Sequence, residues 1–203
     1  MADSPDKFED YFTHLKAISF AGRAYKKFFS SPLLYYCARH FGSRIIEVGS
    51  GTASGVLGAF PKRVQGLEIN PRAVEYCKAA GLDVGLIGAD GIFPVADASY
   101  DVCILDNVLE HIGDPRQTLD ECHRITQKNG GLVVAVPGLR GYDSDSDHKR
   151  FYDAGSLRLL DERWLLQNLF STPFLFTSEN LSRSVKQYCL VATYKKVEPA
   201  IET

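Results

Sequence analysis

Residues able to do chemistry concentrate in three stretches of this 203-residue chain. The first is a glycine-rich loop, Glu47-Val48-Gly49-Ser50-Gly51-Thr52-Ala53-Ser54-Gly55, which follows the apolar run Arg44 to Val48. Glycine lets a backbone turn tightly and approach a ligand without a Cβ in the way. A helix starting after such a loop adds unpaired N–H groups. The second is Glu68, which closes the next apolar run 21 residues beyond Glu47. A carboxylate there can accept both hydroxyls of a ribose. Loop and acid together point to a nucleoside-containing cofactor. The third is a pair of histidines, His111 and His148, each in a segment after a strand-like run. Histidine exchanges protons near neutral pH, as a base that deprotonates a hydroxyl or amine must.

Charge separates the cofactors that fit this frame. A dinucleotide loop places glycine three positions after Gly51, where Ser54 stands. Glu47 is awkward beside a pyrophosphate but suits a cationic ligand. S-adenosylmethionine carries an ammonium and a sulfonium and no phosphate, so it fits better than NAD. Two readings stand beside a transferase using that cofactor. One is a non-catalytic protein that keeps the pocket; the other, disfavoured by Ser54 and Glu47, is an NAD-dependent oxidoreductase.

The elements that must hold these residues are legible as alternating strands and helices. Strands are expected at Arg44–Val48, Val64–Ile69, Asp83–Ile87, Tyr100–Leu105 and Leu132–Val136, with late ones near Phe174–Thr177 and Tyr188–Tyr194. Asn70-Pro71 and Asp114-Pro115 each read as an N-cap followed by proline. The second of these helices carries Leu119, Cys122 and Ile125 as its apolar stripe and is expected to end at Asn129-Gly130-Gly131. Ser156–Phe170 reads as a helix with Leu157, Leu160 and Trp164 on one face. Two or three short aromatic-rich helices are expected before Phe41, interrupted at Ser31-Pro32. This pattern predicts an α/β fold: a Rossmann-like, doubly wound, mostly parallel seven-stranded sheet with N-terminal helices. Such sheets bind ligands at the carboxyl ends of their strands.

The ordered motifs resemble a class I S-adenosylmethionine-dependent methyltransferase of the small methyltransferase-11 type. The likeness runs from Arg44 to Pro137. It takes in the glycine loop (with Ala53 where a third glycine is usual), Glu68-Ile-Asn-Pro, Gly88-Ala-Asp90-Gly91, the stretch Tyr100 to His111, and Gly131 to Pro137. The resemblance implies that Glu47, Gly49, Ser50 and Gly51 hold the amino-acid end of S-adenosylmethionine. It implies that Glu68 binds the ribose, that Ile69, Asp90 and Gly91 contact the adenine, and that Asn107 faces the methionine. It also resembles enzymes in which a His-x-Arg-Phe-Tyr segment borders the acceptor, which makes His148, Arg150 and Tyr152 pocket residues. On this reading His148 and His111 are candidate bases, and Tyr11 belongs to an aromatic acceptor wall. One domain is expected: residues 1–41 a helical lid, 44–137 the cofactor core, and 138–203 an acceptor-facing segment with the last strands. The acceptor expected is a small molecule or glycan, methylated at oxygen, with S-adenosylhomocysteine as product.

Composition sets the outer bounds. Lys+Arg 23 against Asp+Glu 25 leaves a net charge of −2, no footprint for a nucleic acid. No apolar run approaches the ~20 residues of a membrane helix, and the polar start does not resemble a secretory signal. Five scattered cysteines without a CxxC pair predict no disulfide framework and no metal site. Asp143, Asp145 and Asp147 begin like a calcium loop, but His148 and Ala154 stand where glycine and glutamate are needed, so a solvated acidic loop is expected. A reduced, cytoplasmic protein is the expectation.

Overall fold

The computed structural model describes residues 8–9, 12–13 and 20–198. Its centre is a seven-stranded sheet in the order β3-β2-β1-β4-β5-β7-β6. The strands are β1 (Ile45–Val48), β2 (Val64–Glu68), β3 (Val84–Leu86), β4 (Tyr100–Asp106), β5 (Thr126–Pro137), β6 (Trp164–Thr172) and β7 (Cys189–Lys196). Every residue of β1 and β4 is buried. That continuous burial is why their sequences lack the alternation of a one-sided strand. Neighbours from β3 to β5 pair in parallel, while β7 runs antiparallel to both β5 and β6. The chain winds outward from β1 to β3, then returns to lay β4 on the other flank of β1. The crevice for a ligand therefore opens at the carboxyl ends of β1 and β4.

Helices cover both faces. On one, α2 (Ser31–Arg39), α3 (Val56–Ala59) and α4 (Pro71–Ala79) follow α1 (Phe20–Tyr25) in the chain, and Leu34, Ala38, Val56, Leu57, Val74 and Cys77 pack against Ile45, Val102 and Val133. On the other, α5 (Arg116–Ile125) and α7 (Ala154–Arg158) bury Leu119, Cys122, Ile125 and Leu157 against Ile46, Cys103 and Leu132. Two further short helices, α6 (Leu139–Tyr142) and α8 (Glu179–Ser184), lie in the connections after β5 and β6. Asn70 caps α4 as its type and position predict, accepting from Arg72 N at 2.9 Å and Ala73 N at 3.3 Å, with Pro71 in the first turn. The N-terminal helices are continuous: a π-helical turn, Lys26–Ser30, joins α1 to α2. The break at Ser31-Pro32 is thus a change of helical register, with Pro32 in the first turn of α2, where its missing N–H costs nothing.

Three expectations change. Ser156–Phe170 is not one helix: α7 ends at Arg158, and Trp164–Thr172 is the strand β6. The spacing of Leu157, Leu160 and Trp164 mimicked a helix, but Asp161 and Arg163 close a turn through their side chains, and pairing with β7 decides the rest. The late strand near Phe174–Thr177 is a turn, because Pro173 cannot donate to a ladder. Asn129-Gly130-Gly131 does not end α5, which stops at Ile125. It interrupts β5, where Asn129 takes φ +64° between the Tyr100–Thr126 and Val102–Gly131 pairings. Asp114 accepts from the Arg116 amide at 3.2 Å, the bond Asn70 makes to Arg72, and it also pairs with the Arg116 guanidinium. Lys196 ends β7 and donates to His123 O and Thr126 O, both at 2.8 Å.

Candidate functional site

The glycine loop folds back on the sheet. Gly49 and Gly51 take φ of +73° and +54°, the left-handed region that favours glycine. The Gly49 and Ser50 amides donate to Leu67 O at 2.8 and 3.0 Å. The Gly51 amide donates to Glu68 Oε2 at 2.7 Å, while Glu68 Oε1 accepts from the Ile69 and Asn70 amides at 2.9 Å each. Glu68 thus clasps the loop to the end of β2. Burial raises its pKa, and the three amide bonds pull it back down. Ser50 is buried with its Oγ turned toward Gly66, and its carbonyl accepts from the Ala53 amide at 2.9 Å, so its role is to hold the loop's shape. Ala53, in the third glycine position, holds φ +57°, the conformation a glycine would adopt freely.

Beneath the loop lie two buried carboxylates and one lysine. Glu47, on β1, accepts from the Val56 and Leu57 amides at 3.1 and 2.6 Å, the open N–H groups of the first turn of α3. Asp106 ends β4, and Lys26 Nζ reaches it from the π-helical turn at 3.2 Å. Burial and the charge of Asp106 push the Glu47 carboxyl up to about 7, against the pull of the two amides and Lys26. Burial acts to lower the Lys26 pKa, but Asp106 and Glu47 outweigh it and hold the lysine charged. A Cβ at Gly55 would stand 2.3 Å from Glu47 Oε1 and 3.0 Å from Asp106 Oδ2, so only glycine fits between the two acids. A pair of anions facing one ammonium is the complement of an amino-acid zwitterion.

The remaining expected cofactor residues line the same edge of the sheet. Ile69 is 49% exposed just past β2, an uncovered apolar side chain. Asp90 and Gly91 follow β3; the Asp90 carboxylate accepts from Ile92 N at 3.1 Å, and Gly91 has φ +75°. Asn107, at φ +57° directly after β4, donates through Nδ2 to Asp106 Oδ1 at 3.1 Å.

A second group of side chains adjoins this edge. Glu110 lies in a single 3-10 turn, Leu109–His111, following β4. Its carbonyl accepts from the Lys149 and Arg150 amides at 2.7 and 3.1 Å, which docks the segment after β5 onto the turn. That docking brings His148 Nε2 to 4.0 Å from Glu110 Oε1, and the His111 and His148 rings to 4.6 Å. The His148 Nδ1–H donates to Tyr142 O at 2.7 Å, and His111 Nδ1 lies 3.0 Å from Asp147 Oδ2. Both Glu110 oxygens are buried without a hydrogen-bond partner among the described residues. Burial, with Asp106 and Asp145 adding to it, drives this carboxyl up to about 8. Burial and the neighbouring His148 lower the pKa of His111, against the pull of Asp147. Asp147, expected as a solvated loop residue, is the partner of His111.

The two histidines anticipated from sequence therefore meet, and Glu110, Asp106 and Lys26 join the site without having been assigned a role. Arg150 and Tyr152 follow on from this group. They line a cleft of about 260 Å³ with Asp114, Arg116, Leu119 and Ser156, and the Arg150 guanidinium lies 5.2 Å from the Tyr152 ring. Tyr152 is 2% exposed, its ring packed into the core at the base of that cleft. Tyr11 lies outside the described residues. Phe28, Phe29 and Tyr36 are more than half exposed, whereas Tyr35 stacks on Phe60 at 4.0 Å as packing.

Comparison with known proteins agrees with this fold. Residues 46–134 match the family model of a methyltransferase domain. An S-adenosylmethionine-dependent methyltransferase of Mycolicibacterium smegmatis is 31% identical over 139 residues, covering 64% of this chain and 53% of the relative. The chain spans about half of that relative's length. A Haloferax volcanii methyltransferase solved with the Trm112 methyltransferase activator shares the fold with a TM-score of 0.71 at 15% identity, over 97% of this chain and 98% of that one. The N-methyltransferase NodS of Bradyrhizobium japonicum, solved with S-adenosyl-L-homocysteine, gives 0.69 at 16% identity, over 94% and 99%. The stretch 46–134 thus resembles a methyltransferase domain, and nearly the whole chain shares the fold of solved methyltransferases. The loop, Glu47, Asp106 and Lys26 suit a ligand with a sulfonium and a zwitterionic amino-acid end. Among the described residues, no helix is long and apolar enough to cross a membrane.

Proposed function

We propose that this protein transfers the methyl group of S-adenosylmethionine to a hydroxyl of a small-molecule or glycan acceptor. The observation that carries the reading is the buried Glu47–Asp106–Lys26 constellation beneath the glycine loop, at the switch point between β1 and β4. Lys26 meets the cofactor's carboxylate, and the two acids meet its ammonium. The amides of the glycine loop bring the backbone close to the sulfur, and Ile69, Asp90 and Gly91 form the adenine end. The sulfonium supplies an already electrophilic methyl. The protein's remaining work is alignment of the acceptor, which can contribute several kcal/mol, and removal of its proton. His148 and His111, beside Glu110, stand where that proton is taken up.

The test is production of S-adenosylhomocysteine from S-adenosylmethionine with a panel of phenolic, sugar and polyol acceptors. Activity with a hydroxyl acceptor is expected. Replacement of His148 by Ala should leave cofactor binding intact and lower turnover by about 10²-fold or more. Full turnover in that variant would remove the histidine from the chemistry, and methylation confined to amines would overturn the oxygen assignment.

A further inference from the structure

We propose that Glu110, His111 and His148 form a binding site for a divalent first-row transition ion of the zinc type. Each offers one ligand atom, and the three atoms lie within 4.8 Å of one another. Metal–ligand bonds of roughly 2.0–2.2 Å require ligand atoms about 3–4 Å apart, so a small closure of side chains completes the set.

Three independent features support an ion rather than a chance cluster. Glu110 is 1% exposed, and neither of its carboxylate oxygens has a hydrogen-bond partner among the described residues. A buried carboxylate without a partner is costly, and a cation removes that cost. The imidazoles are held as metal-binding imidazoles are. His148 donates from Nδ1 to the Tyr142 carbonyl, which fixes the tautomer and leaves the Nε2 lone pair toward Glu110; Asp147 orients His111 through Nδ1. Outer partners of this kind fix the ring orientation and raise the basicity of the ligating nitrogen. Finally, the amide bonds from Lys149 and Arg150 to the Glu110 carbonyl lock the two ligand-bearing segments together before any ion arrives.

The donor set identifies the ion. Two imidazoles and one carboxylate favour zinc, cobalt, iron or manganese over magnesium and calcium, which take oxygen ligands. Asp145 and Asp147 flank the cluster and add negative charge around it. Three protein ligands leave a coordination position open, the arrangement of a reactive rather than a purely structural zinc site. On the methyl-transfer reading above, on which this role rests, the open position receives the acceptor hydroxyl. Oxygen bound to such an ion would lose its proton at lower pH, and that proton would pass to solvent water. The oxygen's electron pair would then form the O–C bond to the methyl as the S–C bond breaks and S-adenosylhomocysteine leaves, with His148 acting as a ligand rather than as the base.

The test separates metal binding from methyl transfer. Protein stripped with a chelator is titrated with zinc and with magnesium by calorimetry, and its cobalt form is examined by visible absorption. The same titrations are run on Glu110→Gln, His148→Ala and Asp147→Asn. The unfolding temperature of each protein with S-adenosylhomocysteine reports that the fold and cofactor site are intact. One zinc per chain is expected, with no comparable magnesium binding and d–d bands in the cobalt form. Zinc affinity should fall about 10-fold or more in Glu110→Gln and His148→Ala, and about 10-fold in Asp147→Asn, the size of effect seen for outer partners. Zinc affinity unchanged in Glu110→Gln and His148→Ala, or no zinc or cobalt bound by the wild type, would overturn the site. Loss of the cofactor response with zinc binding intact would instead count against the methyltransferase reading alone.

Discussion

Lys26 Nζ lies 3.2 Å from Asp106 Oδ2, an ion pair that ties the N-terminal helices to the end of β4 across 80 positions of sequence. It closes the switch-point crevice from above, and Glu47 shares its field from below. Removing the lysine leaves two buried carboxyls without their cation. Breaking a buried pair from one side costs up to about 3–5 kcal/mol; part of Lys26 is exposed, so roughly 1–3 kcal/mol is expected for Lys26→Met. Urea denaturation measures it. The double variant Lys26→Met with Asp106→Asn should recover part of that loss, which a double-mutant cycle reads directly. Affinity for S-adenosylmethionine should drop in the single variant by about 10-fold, the equivalent of ~1.4 kcal/mol.

Glu47 gives the protein a pH signature. Its carboxyl is raised from an ordinary 4.5 to about 7 by burial and by Asp106, against the Val56 and Leu57 amides and Lys26. An acid raised by folding binds its proton more tightly in the native state. Its contribution to stability is therefore complete below about pH 4.5, declines as pH rises toward 7, and is gone above it; the span corresponds to roughly 3 kcal/mol. Glu47→Gln should flatten this decline, so the stability difference between variant and wild type shifts in favour of the variant between about pH 5 and pH 8. Parallel slopes in urea titrations across that window would contradict the placement of Glu47. Binding of a cationic cofactor near neutral pH should expel the proton, detectable as a buffer-dependent heat of binding.

Gly55 and Ala53 make opposite predictions from one loop. A methyl at Gly55 meets Glu47 Oε1 at 2.3 Å in a buried setting, so Gly55→Ala should cost about 1–3 kcal/mol and weaken the cofactor site. Ala53 already sits at φ +57°, where a Cβ is unfavourable by roughly 1–2 kcal/mol. Ala53→Gly should therefore be neutral or stabilising in thermal unfolding, despite adding a glycine to the chain.

The legible part of this molecule is the part built from local rules. Arg44–Val48, the Asn70-Pro71 cap and the Glu47 to Glu68 spacing announced the parallel sheet and its ligand edge, because buried strands, capping side chains and glycine turns are written in consecutive residues. Trp164–Thr172 was illegible because only pairing with Cys189–Lys196 makes it a strand. The site divides along the same line. Glu47, Gly49, Gly51 and Glu68 are close in sequence to the elements they serve, whereas Lys26 reaches Asp106, and His148 reaches Glu110, through tertiary packing alone. Tyr152 follows the same division: its 2% exposure is set by packing against the sheet that its motif does not spell out.

The most direct measurement is thermal unfolding with S-adenosylmethionine, S-adenosylhomocysteine and NAD added separately. Ligand at about 100 times its dissociation constant stabilises by roughly 2.7 kcal/mol, or about 5–10 °C for a chain of this size. The account predicts that shift with both adenosyl compounds and none with NAD. A shift with NAD alone, or no shift with either adenosyl compound, would contradict it.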